Sequence, residues 1–242
     1  AFYLKVSESV LKETPGHLKL AESVSAGFTQ YAYAFVAFDA EKLDAKQPKN
    51  AAQLRERAGR MYARAHHHAM NALERSQPGF AVALRQIDPQ KQPRLTQAQV
   101  PLAYWAAASL GGWISMSKDD PNVVADLPLS MRLAELAWQT DHAYGRGALA
   151  SLMGTLESAK VGGSRQKATQ YFDQAIDLSR GHRSHIGGFE RAHLRGLKRL
   201  NLCFAQRRHL AAGQGCDVCA VHARHSCRAQ TLNGHGVQRL QL

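Results

Sequence analysis

The amino-acid sequence predicts an all-α protein, and three observations lead to that fold class. Amphipathic or apolar segments of helical length follow one another through the first 180 residues. Pro and Gly separate these segments, as expected for residues that interrupt helices. No segment of comparable length alternates apolar and polar residues with period two, so we expect no significant sheet.

Four helices are predicted in the first part of the chain. Pro15-Gly16 ends the first, Pro48 lies in the loop before the third, and Pro78-Gly79 ends the third. The second is the longest run of apolar residues among them. The predicted spans, each bounded by such breaks, are residues 2–13, about 17–38, about 51–74 and about 80–86.

Four more helices are predicted further along. Thr96 is followed three residues later by Gln99, the spacing of a capping box at a helix start. Asp126 and Pro128 supply an N-cap and an early proline. The predicted spans are about 96–116, 126–139, a helix that begins at Asp141, and one from Ser164 to about Ser179.

A faint internal repeat predicts how these helices pair. Residues 58–65 and 168–175 share a small-x3-aromatic-x2-small pattern, and residues 130–137 repeat it more weakly. These spacings place small and aromatic residues on one face, where a neighbouring helix can approach closely. The pattern predicts a tetratricopeptide-like array of helical hairpins. For any single copy, an ordinary amphipathic helix with buried Ala explains the pattern equally well.

Two segments are apolar enough to be compared with membrane spans. Residues 95–117 contain no charged residue, and residues 20–38 contain only Glu22. Both also contain several polar residues, whereas a bilayer span needs about 20 mostly apolar residues. We therefore expect core helices surrounded by other helices.

The net charge of +12 is concentrated at the C-terminal end. Residues 1–180 carry 21 Lys and Arg against 17 Asp and Glu, whereas the last 62 residues carry 10 against 2. All four cysteines lie in those last 62 residues, and all eight prolines lie before them. The two parts therefore need separate functional interpretations.

Several ungapped strings make the body specific. They occur in order at residues 11–17 (LKETPGH), 25–36 (SAGFTQYAYAFV), 100–105 (VPLAYW), 115–121 (SMSKDDP), 124–128 (VADLP) and 170–179 (QYFDQAIDLS). Together they resemble the T-component of tripartite ATP-independent periplasmic (TRAP) transporters, a helical family with tetratricopeptide-like repeats. The resemblance covers roughly residues 1–183.

The resemblance implies a function without catalysis. It implies a periplasmic, often lipid-anchored partner of a solute-binding protein that assembles as a ring-like homo-oligomer and takes an apolar ligand. Members normally carry a lipoprotein signal and a lipidated cysteine upstream of the segment where this chain begins. Because Ala1 opens directly into the body, we expect the N-terminus to be incomplete, with membrane contact only through that missing anchor.

The chain departs from the family after residue 183. From there Arg, His, Cys, Gly and Gln dominate and helical periodicity fades. We therefore predict two parts: a tetratricopeptide-like helical domain at residues 1–183 and an irregular or poorly ordered basic tail at residues 184–242. A shifted reading frame would produce such an abrupt change of composition, and a genuine divergent tail is the competing explanation.

Two histidine-containing clusters are candidates for a metal site. Cys216, Cys219, His222 and His225 form a tetrahedral Cys2His2 set for zinc, but the two pairs lie closer together than in most structural zinc sites. This makes them weak candidates. Residues 66–68 are three consecutive histidines on a predicted helix, spread over about 200°. They cannot converge on one ion, and we expect a solvated or interface face.

The candidate binding residues lie on the two most apolar helices and in the loop after the second. Aromatic residues there pack in a core or line a groove for a ligand or partner segment. The candidates for ligand or partner binding are Gln30, Tyr31, Tyr33, Phe35, Tyr104, Trp105, Trp113, Lys118 and Asp119.

The sequence therefore predicts a non-catalytic T-component of a TRAP-type system. No nucleophile, general base or phosphate-binding loop stands out in the body, and no cofactor or nucleic-acid partner is expected. The alternative is a basic helical nucleic-acid-binding protein with a zinc-stapled C-terminal tail, whose affinity would fall steeply with salt.

Overall fold

The architecture is a row of helices that pack mostly in chain order, as described by a computed structural model. The structure describes residues 2–86 and 88–180, and no strand occurs among them. The predicted all-α class is confirmed. The helices are α1 (Phe2–Glu13), α2 (Leu18–Tyr31), α3 (Phe38–Leu43), α4 (Pro48–Ser76), α5 (Phe80–Leu84), α6 (Val100–Met116), α7 (Pro121–Val124), α8 (Leu127–Thr140), α9 (Ala148–Ala159) and α10 (Arg165–Arg180).

Helix α6 is the centre of the fold. It packs against α2, α4, α8 and α9, which explains why almost every side of it is apolar. The predicted core role of residues 95–117 follows from these contacts. The helix begins at the predicted capping box, in which the backbone N–H of Thr96 donates to Oε1 of Gln99 at 2.8 Å. The side chain of Gln99 thus satisfies a backbone donor that the helix start would leave free.

The long apolar segment extends beyond its predicted end at residue 38. A π-helical segment at Ala32–Ala37 joins α2 to α3, so that the helical chain runs from Leu18 to Leu43. A π-helix is wider than an α-helix and occurs frequently at functional sites. Local periodicity does not reveal the wider turn, because it changes only which neighbours each residue meets.

The helix predicted to begin at Asp141 begins seven residues later, at Ala148. The intervening turn contains Gly145, Arg146 and Gly147, whose φ values are 62°, 52° and 96°. Right-handed helices need negative φ, so these residues delay the start of α9. Gly147 packs directly against the backbone of α10, which explains why a glycine stands there.

The small-aromatic-small pattern lies on buried helix faces. Ala58, Tyr62 and Ala65 are at most 4% exposed, and the small residues of the copies at 130–137 and 168–175 are also buried. Their burial agrees with the close helix approach that the pattern predicts. The tetratricopeptide repeat itself stays a prediction.

Candidate binding sites

The π-helical segment lies within an exposed row of aromatic side chains. Tyr31 stacks on Phe35 with ring centroids 5.0 Å apart, and Phe38 follows one turn later with Nζ of Lys42 lying 4.1 Å from its ring centre. Phe35 is 56% exposed and Phe38 is 48% exposed. We call Tyr31, Phe35 and Phe38 the aromatic strip. Clustered exposed aromatic side chains are typical of interaction surfaces.

A second hydrophobic cluster lies beneath this segment. Tyr33 and Trp113 pack around the buried ring of Tyr62. The ring of Tyr62 approaches α6 closely at Gly112, where a Cβ atom would lie 2.5 Å from the ring. Burial, with a contribution from the Glu41 carboxylate, raises the pKa of Tyr33 to about 12. These tyrosines are therefore neutral packing groups at pH 7.

A pocket of about 280 Å³ opens between α4, α5, α6 and α8. Its apolar wall consists of one methionine, three leucines, an alanine and a tryptophan, namely Met70, Leu84, Leu110, Leu129, Ala81 and Trp113. Arg85 and Asp126 face each other there, with 3.8 Å between Nη1 and Oδ1. His66 contributes a buried imidazole. An apolar cavity with few polar groups is the usual form of a small-molecule site.

A buried carboxylate ties α1 to α4. Glu8 is 4% exposed and pairs with the guanidinium of Arg64, and Nε2 of His68 lies 2.8 Å from Oε1 of Glu8. Burial alone would raise the pKa of Glu8, but its hydrogen bonds to Arg64 and His68 outweigh burial and hold the pKa below its ordinary value. Arg64 also covers the Phe28 ring. The cluster stabilises the docking of α1.

Replacing Glu8 by Gln should lower the free energy of unfolding by about 1 kcal/mol at pH 7, a modest effect because Arg64 is 39% exposed and water screens it. The folded pKa of Glu8 lies below 4.5, so its stabilisation is complete above that value and is lost as the pH falls through the folded pKa. Urea unfolding at pH 7 and pH 3 measures the difference between wild type and variant. An equal difference at both pH values would contradict this assignment.

Next to this cluster lies a groove of about 320 Å³ with a basic rim. Its floor includes Phe28 and Met61, while Arg57, Arg60 and Arg64 line one side from successive turns of α4. Glu56 pairs with Arg60, and Glu8 pairs with Arg64, so part of this charge is neutralised. Tyr31 of the aromatic strip reaches this groove.

The candidate residues from the sequence do not form one site. Tyr31 and Phe35 lie in the aromatic strip, and Trp113 lines the pocket. Tyr104 is buried in the main core, where its ring centroid lies 4.9 Å from that of Trp105. The remaining candidates occupy separate positions: Tyr33 lies in the second cluster, Gln30 is exposed beside the strip, and Lys118 and Asp119 are exposed in the turn after α6.

The three consecutive histidines do not share a face, which corrects the expectation of a solvated face. His66 is buried and its Nδ1 lies 2.9 Å from the carbonyl oxygen of Ala106. His67 is exposed beside Trp113, and His68 contacts Glu8. Their failure to converge agrees with the predicted spread around the helix. Sequence reasoning missed His66 as a pocket residue because only packing against α6 shows its neighbours.

The weak zinc candidates Cys216, Cys219, His222 and His225 lie outside the described residues. Across residues 2–86 and 88–180, no group of three or more His, Cys, Asp or Glu side chains could hold a metal ion. The same part of the chain contains no helix with the length and apolar character that crossing a bilayer requires.

The fold and these sites define an all-α protein whose helices pack side by side and carry a small apolar pocket and an exposed aromatic strip. The sequence places it more narrowly. The chain belongs to the TRAP transporter T-component family, whose model matches residues 1–187. It is thus a component of a TRAP transporter system, and the resemblance carried by the short strings is confirmed.

The chain is also similar to an uncharacterised protein of Treponema pallidum (strain Nichols). The two are 24% identical over 186 residues, which is 74% of this chain. The match covers 58% of the length of that relative, so the chain spans little more than half of it.

Proposed function

We propose that this T-component is a non-catalytic periplasmic protein that binds the solute-binding subunit of its transporter through the aromatic strip. The observation that carries the proposal is the exposure of Phe35 and Phe38 on a helical segment whose other face is buried. Membership of the T-component family supports the choice of partner. The proposal includes a lipid anchor, assembly into homo-oligomers and an apolar ligand, which the family resemblance suggests.

The aromatic strip has the properties of an interaction surface. Tyr31 and Phe35 stack on each other, so the strip is preorganised and loses little side-chain entropy on binding. Large aromatic side chains supply most of the energy at typical interface hot spots. Val36 and Ala37 are buried behind the strip and anchor it to α4. The surface is therefore rigid as well as apolar.

Replacing Phe35 by Asp should weaken binding of the purified solute-binding subunit by at least about tenfold, because an exposed hot-spot ring is lost and a charge is introduced. Isothermal titration calorimetry measures this affinity. Val161→Asp is the matched control, since Val161 is 88% exposed in the turn between α9 and α10. Wild-type affinity in both variants would refute the aromatic strip as the binding surface.

A further inference from the structure

The imidazole of His66 is fixed in one tautomer by α6. Its Nδ1 lies 2.9 Å from the carbonyl oxygen of Ala106, and a carbonyl oxygen only accepts hydrogen bonds. Nδ1 therefore carries the proton. Burial lowers the pKa of His66 below its ordinary value, although the hydrogen bond to Ala106 acts in the opposite direction. The ring is neutral at pH 7, and its Nε2 has a lone pair that can accept a hydrogen bond.

This acceptor belongs to the wall of the pocket between α4, α5, α6 and α8. No donor to Nε2 of His66 occurs among the described residues. Leu110 and Trp113 on α6 and Leu129 on α8 supply apolar surface around the ring. A ligand in this pocket would thus be surrounded by apolar groups with one acceptor to satisfy, and leaving a buried polar group unpaired is costly.

Arg85 and Asp126 add to the polar groups of the pocket. Their side chains are 66% and 38% exposed, and the 3.8 Å separation of their charged groups makes a weak pair. Charged groups this exposed keep their hydration and need no ligand partner. The buried imidazole, in contrast, cannot be hydrated fully. The specificity of the pocket is therefore set by His66.

We propose that this pocket binds a small apolar molecule that carries one hydrogen-bond donor, a hydroxyl or an N–H, which it gives to Nε2 of His66. The inference rests on the apolar-ligand part of the proposed function and is independent of subunit binding, because the pocket and the aromatic strip share no residue. The cavity of about 280 Å³ limits the ligand to roughly one substituted ring.

The test compares 4-ethylphenol with its methyl ether, 4-ethylanisole, by NMR titration of the whole chain. The two probes differ in the donor alone. We expect the phenol to bind about tenfold more tightly than the ether, because the ether leaves Nε2 unpaired. In His66→Phe, which keeps a ring but removes the acceptor, this preference should disappear. Equal affinities in the wild type, or no phenol binding up to about 10 mM, would overturn the proposal.

A second variant covers the possibility that His66→Phe unfolds through loss of the Ala106 hydrogen bond. Leu129→Trp fills the pocket from the half-buried face of α8 and should weaken both probes at least about fivefold. Unchanged phenol affinity in Leu129→Trp would overturn the location. Phe35→Asp should leave phenol binding unchanged, so that failure of the pocket and failure of the subunit interface give different results.

Discussion

Replacing Gly147 by Ala is expected to lower the free energy of unfolding by about 3 kcal/mol and the melting temperature by about 9 °C. Gly147 has φ of 96°, and a Cβ atom there would lie 2.5 Å from the carbonyl oxygen of Ala175 in α10. The backbone strain and the contact with another backbone both oppose the substitution. Thermal and urea unfolding measure the loss.

Gly162→Ala is the matched control for Gly147. Gly162 also has a positive φ, 73°, but a Cβ atom there would meet nothing within 4 Å. This variant should lose only the backbone term, about 1 kcal/mol. The extra loss in Gly147→Ala measures the contact between the turn before α9 and the backbone of α10. Equal losses in the two variants would show that α10 does not pack on this turn as described.

Replacing Gly112 by Ala should destabilise the protein by about 2 kcal/mol, although Ala is the better helix former. The added Cβ atom would lie 2.5 Å from the buried Tyr62 ring, so the ring or α6 must move. The Tyr62 ring cannot retreat freely, because it is 4% exposed and packed among its neighbours. Urea unfolding at pH 7 measures the change.

The neighbouring glycine provides the control for this prediction. At Gly111 a Cβ atom would lie 3.5 Å from Leu156 and 3.7 Å from Ser130, which are ordinary contacts. Gly111→Ala should therefore be neutral or stabilising by up to about 1 kcal/mol. In a Tyr62→Leu background, Gly112→Ala should cost much less than in the wild type. Two glycine variants of equal stability would contradict the close packing of Tyr62 on α6.

The two candidate sites differ in what they contribute to function. The aromatic strip is an exposed surface suited to a protein partner, whereas the pocket beside His66 is a cavity suited to a small molecule. Both adjoin α4, the longest helix, which forms one wall of the pocket and packs behind the π-helical segment that carries the strip. The structure thus places a partner surface and a ligand cavity on one rigid element.

Helix positions could largely be predicted because their signals are local. Pro and Gly breaks, the capping box at Thr96 and apolar periodicity depend on residues close in sequence. The start of α9 could not be predicted in this way, since the positive φ values before it are fixed partly by contact with α10. The π-helical segment was also missed, because its composition is that of an ordinary apolar helix.

The candidate site could be predicted only in part. The sequence identified aromatic residues on apolar helices, but burial separates Tyr104 in the core from Phe35 on the surface. His66 was interpreted as part of a histidine face, and its role became visible only with Ala106 beside it. Sequence spacing shows which residues share a helix face, but not what that face contacts.

By itself, the sequence determined the helical class and, through its short collinear strings, the T-component family. Both depend on residue patterns along the chain. The tertiary structure alone decided which side chains became a surface, a cavity wall or a packing contact, as for Phe35, His66 and Tyr62. The physical reason is that helix formation depends on neighbours within a few residues, whereas burial and hydrogen bonding at these sites join residues about 40 positions or more apart.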